Sequence, residues 1–221
     1  MAKRVAVLLS GCGVYDGSEI QEAVFILLAL SQAGAQVQCT APDKDQMHVI
    51  NHRAGQPEDG AQRNVLTESA RIARGNIVPL SQIKAADYDA ILLPGGFGAA
   101  KNLCDYAVAG AGSTVDADVA RVLQEFHAAG KAIGAMCIAP VVVAGALAQV
   151  QPKVTLTIGN DVGTAADIVA LGGVHQDCVV TDCVVDAANK VVTSPAYMYG
   201  DASLADIFAG VSKAVQATLA L

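Results

Sequence analysis

Apolar runs short enough to be strands alternate with longer helical stretches along almost the whole chain. Arg4–Leu9 reads as a strand, Ser18–Ala33 as a helix closed by Gly34, and Ala35–Thr40 as a second strand. Asn64–Ala73 has helical character. Ala90–Leu93 is a strand that runs into Pro94-Gly95-Gly96. Asp116–Ala129 is a helix closed by Gly130, Ala132–Met136 a strand, and the residues from Cys137 to Ala148 a helix. Val154–Ile158, Val179–Val185 and Val191–Thr193 are further strands, and Ser203–Leu219 is a final helix. Parallel strands need a crossover between them, and a helix supplies it. The pattern therefore predicts an α/β three-layer sandwich: a mostly parallel sheet with helices on both faces. With no linker, internal repeat or low-complexity segment in sight, residues 1–221 read as a single domain. Met47–Gly60 is polar without clear periodicity. It reads as an excursion near the functional site or at a subunit contact.

Composition narrows the function classes. Hydrophobic residues make up 53% of the 221, enough for a large core, while aromatics are only 4%. Acidic residues outnumber basic ones by 21 to 14, for a net charge of −7. An acidic chain with no Lys/Arg cluster is a poor partner for nucleic acid and for anionic membranes. At the N-terminus, Lys3 and Arg4 precede Val5–Leu9, and Ser10-Gly11-Cys12 mimics a lipoprotein cleavage site. The apolar run falls short of the roughly 7–15 residues of a signal peptide, so export is not expected. The longest other apolar run, Ala23–Leu30, is too short for a bilayer, which needs about 20 residues. Six cysteines form no C-x-x-C pair and no zinc-type set with histidine, so no metal or other cofactor is expected. Free thiols in a reducing compartment, and hence a cytoplasmic location, are the expectation.

Three segments carry candidate chemistry. In Ile133-Gly134-Ala135-Met136-Cys137-Ile138-Ala139-Pro140 a buried strand stops and a helix begins just after the cysteine. This is the strand–turn–helix context of a nucleophile elbow, which exposes the side chain at its tip. The positive end of the following helix then favours thiolate over thiol. The same segment also suits a structural cysteine ending a strand. Leu92–Ala100 is glycine-rich at the C-terminal end of a strand, where backbone N–H groups approach a ligand closely. Beside an elbow, such a loop supplies an oxyanion hole; by itself it is also an ordinary strand-to-helix turn. Glu22 follows Ser18-Glu19-Ile20-Gln21, which reads as a capping box, so the helix begins near Glu19. The eight residues after Glu22 are all apolar, the mark of a helix buried on every face. Glu22 is then a first-turn carboxyl beside a dry interior. Burial raises its pKa, and the helix N-terminus opposes that. Of the histidines, His48 and His52 lie in the polar excursion, from which one could approach the site; His127 and His175 carry no chemical expectation.

Ile133–Pro140, Leu93–Leu103 and Glu22–Gly34 resemble the PfpI-like superfamily of intracellular proteases, the Parkinson-disease protein deglycase and cofactor-free glyoxalases. Ser10–Glu19, Val49–His52, Pro94–Leu103 and Thr193–Met198 are similar to its ElbB branch, the isoprenoid-biosynthesis-associated glyoxalase-like proteins. The resemblance runs from Val5 to the C-terminal helix. It implies a flavodoxin-like, class I glutamine amidotransferase-like fold and a homodimer. It also implies that Cys137 is the reactive cysteine, that Glu22 hydrogen-bonds it, and that the N–H groups of Gly96 and Ile138 are the oxyanion donors. One departure matters. Many members place a histidine after the strand that follows the elbow helix, and here Thr157-Ile158-Gly159-Asn160-Asp161 has none. Protease or amidase work wants a histidine-type acid to protonate the leaving amine. An aldehyde accepts a thiolate with no leaving group to protonate. The implied activity is a glutathione-independent, glyoxalase-type lyase without cofactor. It would convert small dicarbonyls such as glyoxal to hydroxy acids such as glycolate through a cysteine hemithioacetal. The alternative is a non-catalytic regulatory or thiol-sensing protein linked to isoprenoid biosynthesis.

Overall fold

The computed structural model describes residues 2–148, 150–151 and 153–221. In chain order its elements are β1 (Arg4–Leu8), α1 (Ile20–Gln32), β2 (Gln36–Ala41), β3 (Ile50–Asn51), β4 (Gln56–Pro57), α2 (Val65–Ile72), β5 (Ile77–Pro79) and β6 (Ala90–Leu93). Then come α3 (Phe97–Asn102), α4 (Tyr106–Ala109), α5 (Ala117–Ala128), β7 (Ala132–Met136), α6 (Pro140–Leu147), β8 (Thr155–Leu156) and α7 (Val162–Ala170). The chain closes with β9 (Val174–His175), β10 (Val184–Asp186), β11 (Val191–Ser194) and α8 (Leu204–Ala220). Seven strands form one sheet in the order β10-β11-β7-β6-β1-β2-β5. All neighbours run parallel except β10, which pairs antiparallel with β11 at the edge.

The alternation of strand side chains makes the three layers. Val5, Val7 and Leu9 point to one face, where Ala23, Ile26 and Leu30 of α1 and Ile207 and Val211 of α8 cover them. Ala6 and Leu8 point to the other face, against Leu123 and Phe126 of α5 and Val142 of α6. A strand buried on both faces is a continuous apolar run, which is why Val5–Leu9 and Ala90–Leu93 are legible as strands. Gly134 in β7 is demanded by sheet packing, since a Cβ there would lie 2.2 Å from a Leu92 methyl.

Several expectations need correction. The strand expected at Val179–Val185 shortens and shifts to β10, ending at Asp186, with Val179 exposed before it. The one expected at Val154–Ile158 narrows to β8, which pairs with β9 in a separate two-stranded ribbon. The polar excursion contains the small antiparallel pair β3–β4. Edge strand β5 and helix α7 were not anticipated; three half-buried residues and a helix with one buried residue give weak periodic signals. Helix α1 begins one residue later than expected. Glu19, not Ser18, is its cap and accepts from Glu22 N–H at 2.7 Å, while the Ser18 hydroxyl accepts from Ser10 N–H. Nor is α1 buried on every face: Ile20, Val24 and Leu28 are each more than 40% exposed. An apolar residue on a helix can face either way, and only the sheet it packs against selects the inner stripe.

Candidate functional site

The C-terminal ends of β6, β7 and β11 bring the site together. β7 stops at Met136, and Cys137 takes φ +57°, a left-handed conformation that a cysteine adopts only when its surroundings hold it there. Its N–H donates to Ser194 O at 2.9 Å, at the end of β11. Helix α6 starts three residues on, with Pro140 in its first turn, where the missing N–H costs nothing. Cys137 is 8% exposed and lines a cavity of about 710 Å³.

Glu22 enters from α1 and is completely buried. Its Oε2 accepts from Gly95 N–H at 2.7 Å and its Oε1 from Tyr197 N–H at 3.1 Å, so both carboxyl oxygens are fixed by backbone donors. The carboxyl also shares a hydrogen bond with the Cys137 thiol. Gly95 lies between the two groups. A Cβ on it would sit 2.5 Å from Cys137 Cβ and 2.9 Å from Glu22 Oε2. The backbone N–H groups of Gly96 and Ile138 point at the sulfur. All four residues singled out from the sequence thus meet at one point.

Electrostatics at this point differ from the expectation of a helix-stabilised thiolate. Burial pushes the Glu22 carboxyl up to about 7, and the Glu19 charge adds to this; the N–H groups of Tyr197 and Gly95 and the thiol pull it back. Burial, then the Glu22 charge, hold the Cys137 thiol well above its ordinary value against the pull of the Gly96 and Ile138 N–H groups. Two acids in contact in a dry pocket do not both ionise. Proton loss to solvent from the pair is costly, while proton exchange within it adds no net charge. Burial also raises the other five thiols, Cys39, Cys104 and Cys178 to about 11.

The cavity walls carry groups not singled out from the sequence. Tyr106 from α4 donates to Asp167 of α7 at 2.7 Å, and Asp161 caps α7 by accepting from Thr164 N–H at 2.8 Å. With Glu19, these give the cavity three carboxyl groups; no lysine, arginine or histidine among the described residues lines it. The two excursion histidines stay outside. His52 accepts from Tyr15 N–H at 3.2 Å, contacts Ile50 O at 3.1 Å and packs its ring on Tyr15. His175 braces Ile158 N–H. Among the described residues, no group of three or more His, Cys, Asp or Glu side chains has a metal-holding arrangement, and no helix is long and apolar enough to cross a membrane. Gly95 was visible in Pro94-Gly95-Gly96. Tyr197 lies in the Thr193–Met198 segment that carried the resemblance; it lines the cavity and gives its backbone N–H to Glu22, a role that its residue type does not announce.

The family model for DJ-1/PfpI matches residues 3–201. The chain belongs to the DJ-1/PfpI family. The family includes enzymes, deglycases and proteases among them, and its mostly parallel sheet with flanking helices is the flavodoxin-like, class I glutamine amidotransferase-like fold. This DJ-1/PfpI chain is 52% identical to the human glutamine amidotransferase-like class 1 domain-containing protein 3, mitochondrial, over all of the chain and 84% of that protein. It is 50% identical to the rat ES1 protein homolog, mitochondrial, over 99% of the chain and 84% of that protein. Among solved structures it is similar to an isoprenoid biosynthesis protein with amidotransferase-like domain from Ehrlichia chaffeensis. That match has 36% identity and a TM-score of 0.91, and it covers 98% of this chain and 99% of the other. The mitochondrial names of the two mammalian relatives overturn the cytoplasmic expectation. Free thiols report a reducing environment and do not single out one compartment.

Proposed function

We propose that the protein is a cofactor-free glyoxalase acting on small uncharged dicarbonyls, of the ElbB type. One observation carries the reading: the Glu22 carboxyl, buried and pinned through both oxygens, shares a hydrogen bond with the thiol of Cys137, which lines a cavity. A carboxyl with a pKa of about 7 can both give and take a proton near neutral pH.

The chemistry follows from these positions. The Cys137 sulfur adds to one aldehyde carbon of glyoxal, and its proton ends on the former carbonyl oxygen, giving a hemithioacetal. The N–H groups of Gly96 and Ile138 stabilise the oxygen while it is negative. Glu22 then takes the proton from the sulfur-bearing carbon and returns one to the neighbouring carbon, while the hydroxyl proton on the first carbon passes to the oxygen of the second, through an enediol. The first carbon is thereby oxidised and the second reduced, with no external electron carrier. The product is a thioester of glycolate, which water hydrolyses, restoring the thiol. Because the thiol carries its own proton to the substrate, a raised Cys137 pKa is compatible with this route, whereas it disfavours a sensor that depends on a standing thiolate. Among the described residues no histidine lines the cavity, which supports aldehyde chemistry over amide cleavage.

The test is to incubate the purified protein with glyoxal, without glutathione, and assay glycolate. Wild type is expected to produce it and Cys137→Ser to produce none while remaining folded. Glu22→Gln, which cannot accept the carbon-bound proton, is expected to lose about 10²–10⁴-fold in kcat. No glycolate from wild type, or a Cys137→Ser variant with wild-type turnover, would sink the reading. Near-normal turnover in Glu22→Gln would leave the carboxyl as a structural partner only.

A further inference from the structure

We infer that Asn102 is a positioning residue for the Gly96 N–H, acting through the 10–18 loop that underlies the Pro94–Gly98 turn. The inference rests on the reading of Gly96 as a donor to the reacting group. The turn has almost no side chains with which to hold itself. It lies directly on backbone: a Cβ at Gly96 would be 2.4 Å from Glu19 N and 2.5 Å from Gly17 O, and one at Gly98 would be 2.4 Å from Gly17 C. Three main-chain bonds join the layers. Phe97 N–H donates to Val14 O at 2.7 Å, Gly98 N–H to Gly17 O at 2.9 Å, and Glu19 N–H to Gly95 O at 2.9 Å. Any displacement of the loop therefore moves Gly96.

Ser18, Ser69, His52 and Lys101 each make one hydrogen bond to the loop backbone, and Asn102 reaches it at two points. Asn102, at the far end of α3, is 1% exposed. Its Nδ2 donates to Ser10 O at 2.8 Å and to Asp16 O at 2.9 Å, near the two ends of the loop. Its Oδ1 accepts from Met47 N–H at 3.0 Å, which ties in the polar excursion. Asp16, 2% exposed, completes the brace by accepting from Ile50 N–H at 2.7 Å. An amide has two N–H donors and one oxygen, and here all of them are used inside the protein. None reaches the cavity, so Asn102 acts only through the loop.

The experiment is the pH profile of Cys137 alkylation by iodoacetamide, followed by mass spectrometry, in wild type, Asn102→Ala, Asn102→Ser and Phe126→Leu. The last variant is a control that loosens the core on the other face of the sheet. Removing the brace weakens a hydrogen bond to the developing thiolate, so the Asn102→Ala profile is expected to move to higher pH. Alkylation at pH 8 is then about tenfold slower, with a smaller shift in Asn102→Ser. In glyoxal turnover, kcat is expected to fall with KM nearly unchanged, since the donor acts as charge develops. A profile unmoved, or moved no further than in Phe126→Leu at an equal loss of Tm, overturns the inference. If neither Asn102 variant folds, the inference also fails, because Asn102 would then be a folding residue. Alkylation needs no turnover, so a wild type inactive toward glyoxal would overturn the proposed function and leave this test intact.

Discussion

Glu22 shows how strongly burial governs a single side chain here. A first-turn carboxyl on a helix is ordinarily solvated and ionised. This one is sealed behind Gly95 and Tyr197, and its carboxyl rises from 4.5 to about 7. The sign of the stability effect follows. The folded state holds this proton more tightly than the unfolded chain, so its contribution is fully present below pH 4.5 and is lost as pH rises through about 7. The window is worth about 3 kcal/mol. Glu22→Gln keeps the side chain neutral at every pH and removes the window. Urea unfolding of both proteins at pH 5 and pH 8 is expected to show Glu22→Gln gaining on wild type by about that amount at the higher pH. A difference that does not change with pH would show that the carboxyl is not desolvated as described.

The element that matters most is the turn between β6 and α3. Gly95 has ordinary backbone angles, yet it has no room for a methyl group against Cys137 and Glu22. Gly96 has φ +91° and forms the cap of α3. The two glycines thus serve different ends, close approach in one case and backbone conformation in the other. Gly95→Ala forces the thiol and carboxyl apart. It is expected to cost about 1–3 kcal/mol in unfolding free energy, as overpacking does, and to abolish glycolate formation. Gly112→Ala, whose added methyl would meet nothing within 4 Å, is the matched control and is expected to be near wild type in both assays. Retained turnover in Gly95→Ala would show that the thiol–carboxyl contact is dispensable. The neighbouring α1 shows the limit of helical pattern: a run of eight apolar residues does not say which of its faces meets the sheet.

Over the whole molecule, charge is arranged to disfavour anions. The net charge is −7, and Glu19, Asp161 and Asp167 line the cavity. Asp161 is held below the usual carboxylate range by the N–H and hydroxyl of Thr164, so it is ionised at neutral pH. A carbonyl substrate with its own carboxylate meets like charge on approach and inside, whereas glyoxal does not. Glyoxylate is therefore expected neither to be turned over nor to protect Cys137 from iodoacetamide at concentrations where glyoxal does. Added salt should narrow that difference. Equal protection by glyoxylate would remove charge as a selector. On the proposed reading, the same walls would repel an anionic product such as glycolate and favour its release.

The three layers, the elbow at Cys137 and the glycine turn at Gly95-Gly96 were determined by the sequence alone, because each rests on local rules. Both faces of a central strand are buried, so it reads as an apolar run; a tight turn needs small residues; and a thiol between strand and helix has few other placements. The resemblance of the elbow, the turn and the Glu22 helix to one family pointed to the same four residues. What only the tertiary structure decided is how these residues govern one another. That Glu22 is completely buried while Val24 and Leu28 stay exposed depends on the packing of α1 against the sheet. The cavity wall depends on α4 and α7, whose sequences carry little periodic signal. The protonation of the thiol reversed the local expectation, because desolvation and a neighbouring carboxyl act through space and outweigh the helix end that sequence order places beside it.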